Sequence, residues 1–366
     1  MSLAEETVQR AHPDYTKVQQ KPHRIHQIGP AGWKYAFKRA LSEFLADGCM
    51  DLAAALTYFA VLSIFPALLA VVSLLGVFGQ GEQTKQAILD FLADYAPAEV
   101  LTLVSEPIAQ LTSSSAANLA LLTGLIGSLW TASGYVGAFG RSLNRIYGVV
   151  EGRPIWVLRP WNLLITAVLV LIVVLMLLVL LLSGSVLDFI NEALPNLDLT
   201  GFTNIWMWFR WPVIFLLAVL LIALLYYGTP NVKQPKLRWI SPGAFVALVV
   251  MALAGLGFSF YVSNFGKYNA TYGTIAGVIV LLLFIWIMNC VLLLGAQIDA
   301  EIERSRELYA GIVAERSIQL QPRSQAQAAK LVEKKEKLIE QGRDIRLQHN
   351  GLDYARAVKT MDKNPR

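Results

Sequence analysis

Residues 51–79 read DLAAALTYFAVLSIFPALLAVVSLLGVFG, an apolar stretch without a charge after its first residue. About 20 apolar residues cross a bilayer of about 30 Å, so the stretch is long enough to span a membrane with some tilt. Pro66 has no N–H to donate to the carbonyl of Leu62, and Ser63 is placed to bond backbone groups that this break frees. The stretch therefore predicts a kinked first span, in which the kink either serves packing or forms a broken helix beside a polar cavity.

The composition of the whole chain also places it in a membrane. Of its 366 residues, 55% are hydrophobic and 16% are charged, and the mean hydropathy is +0.50. One water-soluble core of ordinary composition cannot bury so much apolar surface. The first 30 residues contain no apolar h-region, so we expect no cleavable signal peptide and a first span that itself directs insertion.

Further apolar runs predict an all-α membrane protein with six spans, at about 52–79, 116–139, 161–187, 210–227, 242–263 and 273–298. Arginine is concentrated between the second and third spans, whereas residues 188–204 contain neither Lys nor Arg. Basic residues in short loops mark the cytoplasmic side of a membrane protein. This alternation predicts that both termini lie in the cytoplasm.

Polar segments flank the membrane domain and lie between its spans. We predict a polar N-terminal tail, a membrane domain and a charged C-terminal tail, helical or partly disordered, at residues 1–32, 33–305 and 306–366. Amphipathic helices are expected at both interfaces. One carries an apolar face formed by Trp33, Phe37, Leu41, Phe44 and Leu45, and two short ones lie between residues 80 and 115.

The cores of the six apolar runs contain no Asp, Glu, Lys, Arg or His, and the nearest, such as Asp51, Arg210 and Asp299, lie at the ends of the runs. Ion-coupled carriers usually keep a titratable group within the bilayer, so coupled transport is not favoured. Asn289 is the deepest amide, and Tyr58 and Ser63 are also polar. These groups either bond helices together or line a thin polar path for a lipid headgroup between the first, second and sixth spans.

The arginines that follow the second span, Arg145, Arg153 and Arg159, have two readings of equal weight. They fix the topology of the chain, or they form a rim that binds phosphate, because guanidinium groups match phosphate geometry. The net charge of +5 is explained by cytoplasmic loops beside anionic lipid, so no nucleic-acid partner is expected. The two cysteines and four histidines form no metal-ligand spacing, and we expect neither a metal nor a cofactor.

Several short motifs occur together in the chain. They are AAALTYFA at 53–60 with SIFP at 63–66, LNRIY at 143–147 with EGR at 151–153, PN at 230–231, SPGA at 241–244, and YGTIAG at 272–277 leading to GAQIDAE at 295–301. Over about residues 35–305 they resemble the YihY/BrkB-like family of bacterial inner-membrane proteins, once labelled ribonuclease BN. The resemblance implies a six-helix protein of the bacterial inner membrane whose activity is poorly established. The family usually has Glu where this chain has Gln297, and tends to have Asn where it has Asp299.

Three functions are compared on this basis. The favoured one is binding or transbilayer movement of lipid or another amphiphile without ion coupling, with anionic phospholipid as the expected partner. The alternative is a membrane scaffold that recruits a cytoplasmic protein through the C-terminal tail. Association with a second copy of the chain is a separate possible partnership. A ribonuclease is disfavoured and no enzyme is expected, because the sequence shows no acid, base or metal cluster. The candidate lipid site comprises Tyr58, Ser63, Pro66, Asn144, Arg145, Arg153, Arg159, Asn289, Gln297 and Asp299.

Overall fold

The computed structural model describes residues 2–11, 28–78, 117–181, 200–234, 241–265 and 269–361. Within these ranges the chain is almost entirely helical, and the single extended pairing there is a bridge between Val232 and Pro322. The helices are α1 (Leu3–Gln9), α2 (Pro30–Ala46), α3 (Cys49–Phe78), α4 (Ala117–Ile146), α5 (Ile155–Leu181), α6 (Thr200–Gly228), α7 (Pro242–Phe265), α8 (Asn269–Tyr309) and α9 (Ala326–Met361). The predicted all-α class is confirmed.

Several helices are long and apolar enough to cross a membrane. In the described part of the chain they are Ile155–Leu180, Trp208–Gly228, Pro242–Tyr261 and Gly277–Tyr309. The helices Pro30–Ala46 and Cys49–Ser63 are together also long and apolar enough, with a bend of 65° between them. Gly48 makes this bend with φ +67°, a conformation that glycine adopts without steric cost. A multi-pass membrane protein is confirmed, while the count of six spans and the side on which the termini lie stay predictions.

The helices extend beyond the apolar runs that identify them in the sequence. α5 begins at Ile155, so Arg159 and Pro160 are helical, and α8 continues from the sixth apolar run to Tyr309. Ion pairs three residues apart, Glu301 with Arg304 and Glu303 with Arg306, support this polar extension of α8. The two amphipathic helices predicted between residues 80 and 115 lie outside the described residues.

The core forms where α3, α4 and α8 meet. Leu56, Phe139 and Leu293 are fully buried there, one from each helix. The segment after α8 contributes to the same core through Ile318 and Leu320, which are 2% and 6% exposed. The packed structure therefore continues well into the segment that sequence analysis assigns to the C-terminal tail.

α2 is the helix expected at the membrane interface. On its buried face, the small side chains of Ala36 and Ala40 and the ring of Phe44 pack against the core. Phe37 and Leu41 are 42% and 61% exposed. The apolar face seen in the sequence is thus largely turned outward, as expected for a helix that lies against lipid.

Candidate functional site

Polar residues gather at one end of the bundle, where α4 ends, α5 begins and the polar part of α8 lies; we call this the polar end. At its centre is Asn231, which is fully buried in the turn after α6. Its backbone N–H donates to Oδ1 of Asn144 at 2.7 Å, and its Nδ2 donates to the carbonyl oxygens of Val150 and Ser324 at 2.9 and 2.8 Å. Oδ1 of Asn231 accepts from the backbone N–H of Ser324 at 3.0 Å. One amide thus joins the ends of α4 and α6 to the segment before α9.

Arg153 and Glu151 extend this network. Arg153 Nε donates to Glu151 Oε1 at 2.7 Å, and its Nη2 donates both to Glu151 Oε2 and to the carbonyl oxygen of Thr229 at 2.7 Å. Asn144 Nδ2 donates to the same carboxylate at 3.0 Å. Burial acts to raise the pKa of Glu151, but the hydrogen bonds and charge of Arg153 outweigh it and hold that pKa below its usual value. We refer to Asn144, Glu151, Arg153, Asn231 and Ser324 as the Asn231 junction.

The junction places two of the predicted site residues, Asn144 and Arg153, in an internal structural role. Arg153 is 9% exposed and its guanidinium is bonded to the protein on both edges. Arg145 and Arg159, by contrast, are exposed. The guanidinium of Arg159 lies 5.6 Å from the centre of the Trp130 ring. The three arginines that look alike in the sequence therefore have different surroundings.

A second polar contact lies within the bundle, between α3, α4 and α8. The hydroxyl of Tyr135 donates to Oδ1 of Asn289 at 2.8 Å, and Nδ2 of Asn289 donates to Oγ1 of Thr57 at 3.2 Å. Thr57 in turn donates to the carbonyl oxygen of Ala53 at 2.8 Å. We call Thr57, Tyr135 and Asn289 the neutral seam, because each of its hydrogen bonds joins uncharged groups.

The described site residues on α3 have different surroundings. Tyr58 is 62% exposed and its ring packs edge-on against that of Phe59. Ser63 donates to the carbonyl oxygen of Phe59 at 2.6 Å, within its own helix. Pro66 belongs to α3, but its side chain lies outside the described part of the structure. The expected kink at Pro66 therefore stays a prediction.

Gln297 and Asp299 lie close together on α8 but have different surroundings. Oδ1 of Asp299 accepts from the backbone N–H of Gly243 at 2.7 Å, so this carboxylate caps the first turn of α7. Gly243 and Gly295 allow the close approach, since a Cβ on Gly243 would lie 2.0 Å from the carbonyl oxygen of Gly295. Gln297 is 1% exposed, and its Oε1 has no hydrogen-bond partner within the described ranges.

Charged residues that sequence analysis did not single out are buried just beyond Asp299. Glu301 is fully buried and accepts from Nε and Nη2 of Arg304 at 2.8 and 3.0 Å, while Arg39 of α2 approaches it at 3.5 Å. Nη1 of Arg304 donates to the carbonyl oxygen of Ala314 at 3.0 Å. The signal in the sequence is the Glu–Arg spacing of three residues, which places both side chains on one helical face.

The described ranges contain no group of three or more His, Cys, Asp or Glu side chains that could hold a metal ion. The acidic residues of the polar end are instead bonded to arginine or to backbone N–H groups, as Glu151 and Asp299 are. These contacts hold helices and loops together. The exposed arginines and the neutral seam are the groups that could contact a ligand.

Comparisons with known proteins agree with the resemblance noted in the sequence. The family described as Virulence factor BrkB matches residues 40–317. A protein of Bacillus subtilis (strain 168) named "Putative ribonuclease-like protein YfkH" is 31% identical over 271 residues, which cover 74% of this chain and 96% of that protein. A "UPF0761 membrane protein" of Aeromonas salmonicida is 29% identical over 266 residues, which cover 71% of this chain and 86% of the relative. No solved structure matches the chain.

The family match covers most of the chain. It includes the neutral seam and every residue of the Asn231 junction except Ser324. The apolar helices described above agree with the membrane-protein names of the relatives. The chain therefore belongs to the BrkB family of bacterial membrane proteins.

Proposed function

We propose that the protein binds anionic phospholipid or another amphiphile and moves it between membrane leaflets without coupling to an ion. The neutral seam carries this proposal. It brings three helices together through Tyr135, Asn289 and Thr57, which are polar enough to solvate a headgroup in transit. It supplies no carboxylate or imidazole to bind or relay an ion, which coupled carriers usually keep at this depth.

The exposed arginines of the polar end support the same proposal. Arg145 and Arg159 are exposed, and neither makes an ion pair with a described carboxylate. An arginine in this state is available to a phosphate group, which it can bind through two parallel N–H···O bonds. Lipid in the adjoining leaflet is the phosphate source that is always present.

Purified protein in vesicles tests the proposal. Fluorescently headgroup-labelled phosphatidylglycerol is placed in both leaflets, and dithionite bleaches only the outer pool. We expect bleaching to proceed beyond the outer half at a rate that rises with the amount of protein and does not change with a sodium or proton gradient. Bleaching that stops at the level of protein-free vesicles would refute the proposal, and dependence on a gradient would refute its uncoupled form.

A scaffold is the second candidate, and α9 is the observation that favours it. This 36-residue helix exposes Leu331, Leu338 and Ile345, which follow one another at intervals of seven residues and are 49%, 57% and 62% exposed. A stripe of this spacing is typical of a helix that pairs with another helix. Deleting residues 331–366 removes the stripe but keeps Ala328, which is buried. If the protein is a scaffold, the shortened chain should fold but fail to restore a deletion strain.

The ribonuclease hypothesis receives no structural support from the described residues, since no group there could hold a metal ion. The word "ribonuclease-like" belongs to the name of the relative from Bacillus subtilis. Incubation of purified protein with labelled RNA and Mg²⁺ or Mn²⁺ tests it directly. We expect no cleavage above that of a mock purification from a strain without the protein.

A further inference from the structure

Two arginines with unusual surroundings lie where α3, α4 and α5 meet. The guanidinium of Arg141 lies 5.8 Å from the centre of the Phe59 ring, and that of Arg159 lies 5.6 Å from the centre of the Trp130 ring. The side chains of Arg141 and of Asn162, one turn after Arg159 on α5, both lie within 4 Å of the position that a Cβ on Gly137 would take, so α4 and α5 bring the two arginines near each other. We call Arg141 and Arg159 the arginine pair.

The arginine pair is exposed and differs in its partners from five arginines that are buried or half-buried. Arg10, Arg39, Arg153, Arg304 and Arg306 each pair with a glutamate at 3.1 Å or less. Arg141 and Arg159 make no such pair with any residue that the structure describes. Two like charges that share a site without a counter-charge repel each other, and an anion bound between them removes this repulsion.

Exposed apolar side chains lie near the arginine pair on α4 and α5. Trp130, whose ring contacts Arg159, is 55% exposed, and Trp156, one turn before Arg159 on α5, is 69% exposed. Arg159 lies within the apolar helix Ile155–Leu180, which is long enough to cross a membrane. Cations within membrane helices are costly and are commonly functional. An occupant of this site should therefore combine an anionic group with apolar chains.

Gly137 lies close to the arginine pair. It is on α4 one turn before Arg141, and a Cβ there would lie 3.1 Å from Nδ2 of Asn162 and 3.6 Å from Nη1 of Arg141. Asn162 is itself 5% exposed. A side chain at position 137 would therefore crowd both N–H donors.

We propose that the arginine pair binds the phosphate of an anionic phospholipid, with its acyl chains lying along the exposed apolar faces of α4 and α5. Each guanidinium presents a planar set of N–H donors to the phosphate oxygens, and the Phe59 and Trp130 rings beneath them hold the planes in place. A zwitterionic lipid is bound less well, because its choline group brings a positive charge close to the pair. The proposal deepens the proposed function and rests on it for the identity of the ligand as a membrane lipid.

Native mass spectrometry of the full chain in detergent, titrated with phosphatidylglycerol or phosphatidylcholine, tests the proposal. Wild type should bind phosphatidylglycerol in preference. Arg141→Gln and Arg159→Gln should each weaken that binding about tenfold, the loss of one charge-assisted contact. Arg316→Gln, which changes an exposed arginine of the loop after α8, should bind as wild type does. Millimolar inorganic phosphate should not displace the lipid, because phosphate lacks the acyl chains.

Gly137→Ala is a second variant that keeps every charge. Alanine favours the helix, so the variant should fold, but its Cβ crowds Nη1 of Arg141 and Nδ2 of Asn162 and should weaken phosphatidylglycerol binding severalfold by displacing the guanidinium. Gly255→Ala is the matched control, since a Cβ there meets nothing within 4 Å. Unchanged binding in folded Arg141→Gln, Arg159→Gln and Gly137→Ala would overturn the proposal, as would displacement of the lipid by phosphate alone.

The same variants separate this site from the proposed function. If wild type binds phosphatidylglycerol through the arginine pair but moves no lipid in vesicles, the binding site is supported and the transbilayer function is refuted. If lipid moves at the wild-type rate in folded variants and their binding of phosphatidylglycerol is also unchanged, the site fails and the function stands.

Discussion

Gly152 lies against the carbonyl oxygen of Ser324, so closely that a Cβ on Gly152 would be 1.8 Å from that oxygen. The two residues are also bonded, because Oγ of Ser324 donates to the carbonyl oxygen of Gly152 at 2.8 Å. The turn between α4 and α5 is thus fitted to the segment before α9 with no room for a side chain.

Gly152→Ala should lower the free energy of unfolding by about 3 kcal/mol, since the new methyl group meets backbone that cannot turn away. Thermal unfolding of the detergent-purified protein measures this. Gly342→Ala on exposed α9 is the control, because a Cβ there meets nothing within 4 Å and should leave stability unchanged or slightly raised. Equal melting temperatures for Gly152→Ala and wild type would show that the contact is loose.

The Glu151–Arg153 pair predicts a loss of stability in acid. The pKa of Glu151 is held below its ordinary value of 4.5 in the folded protein, despite burial, by Arg153 and Asn144. The stabilisation is therefore complete above pH 4.5 and is lost as the pH falls through the lower, folded-state pKa. Melting temperatures between pH 3 and 7 should fall below pH 4.5, and less steeply in Glu151→Gln. The same slope in both proteins would assign the acid effect to other groups.

Asn289→Leu tests the neutral seam. The change removes the acceptor of Tyr135 and the donor to Thr57, so it should cost about 1 kcal/mol, the usual value for a hydrogen bond between membrane helices. Ser259→Ala, at an exposed position of α7, should cost close to nothing in the same melting experiment. If the seam also passes lipid, Asn289→Leu should slow transbilayer movement at temperatures where the variant is fully folded. An unchanged rate there would limit the seam to packing.

Arg10→Gln should loosen the N-terminal helix. Nη1 of Arg10 donates to the carbonyl oxygen of Tyr147 at 3.1 Å, and Thr7 of the same helix accepts from the backbone N–H of Val150 at 3.0 Å. Losing the buried charged contact should cost about 2 kcal/mol locally. Hydrogen exchange of the peptide that contains Val150 should then be faster than in wild type. Lys38→Gln, an exposed change on α2, should leave that peptide protected.

The fold class could be predicted from the sequence because hydropathy reports directly on membrane helices. The fifth apolar run, at about 242–263, corresponds closely to α7 at Pro242–Phe265. The end of α8 could not be placed in the same way. The length of an apolar run reflects the thickness of the bilayer, whereas a helix can continue beyond the membrane as a polar segment. The pairings of Glu301 with Arg304 and of Glu303 with Arg306 show that the helix continues as a packed element.

The site was harder to predict, because arginines in one short basic stretch of the sequence can have different surroundings in the structure. Arg153 and Arg159 are six residues apart in one basic stretch, yet one is bonded internally and the other is exposed. The difference depends on Glu151, Thr229 and the course of the chain around Asn231, which no local pattern encodes. Arg141 was passed over for the same reason, since its relation to Phe59 appears only when α3 and α4 are packed together.

The Asn231 junction also orders events during synthesis of the protein. Asn231 bonds Val150, which precedes it by 81 residues, and Ser324, which follows it by 93. The ribosome must therefore complete α7 and α8 before Asn231 acquires all of its partners. Until Ser324 is synthesised, Nδ2 of Asn231 can donate to only one of the two carbonyl oxygens that it bonds in the folded protein. The polar end is thus completed only after the membrane helices α7 and α8 have been made.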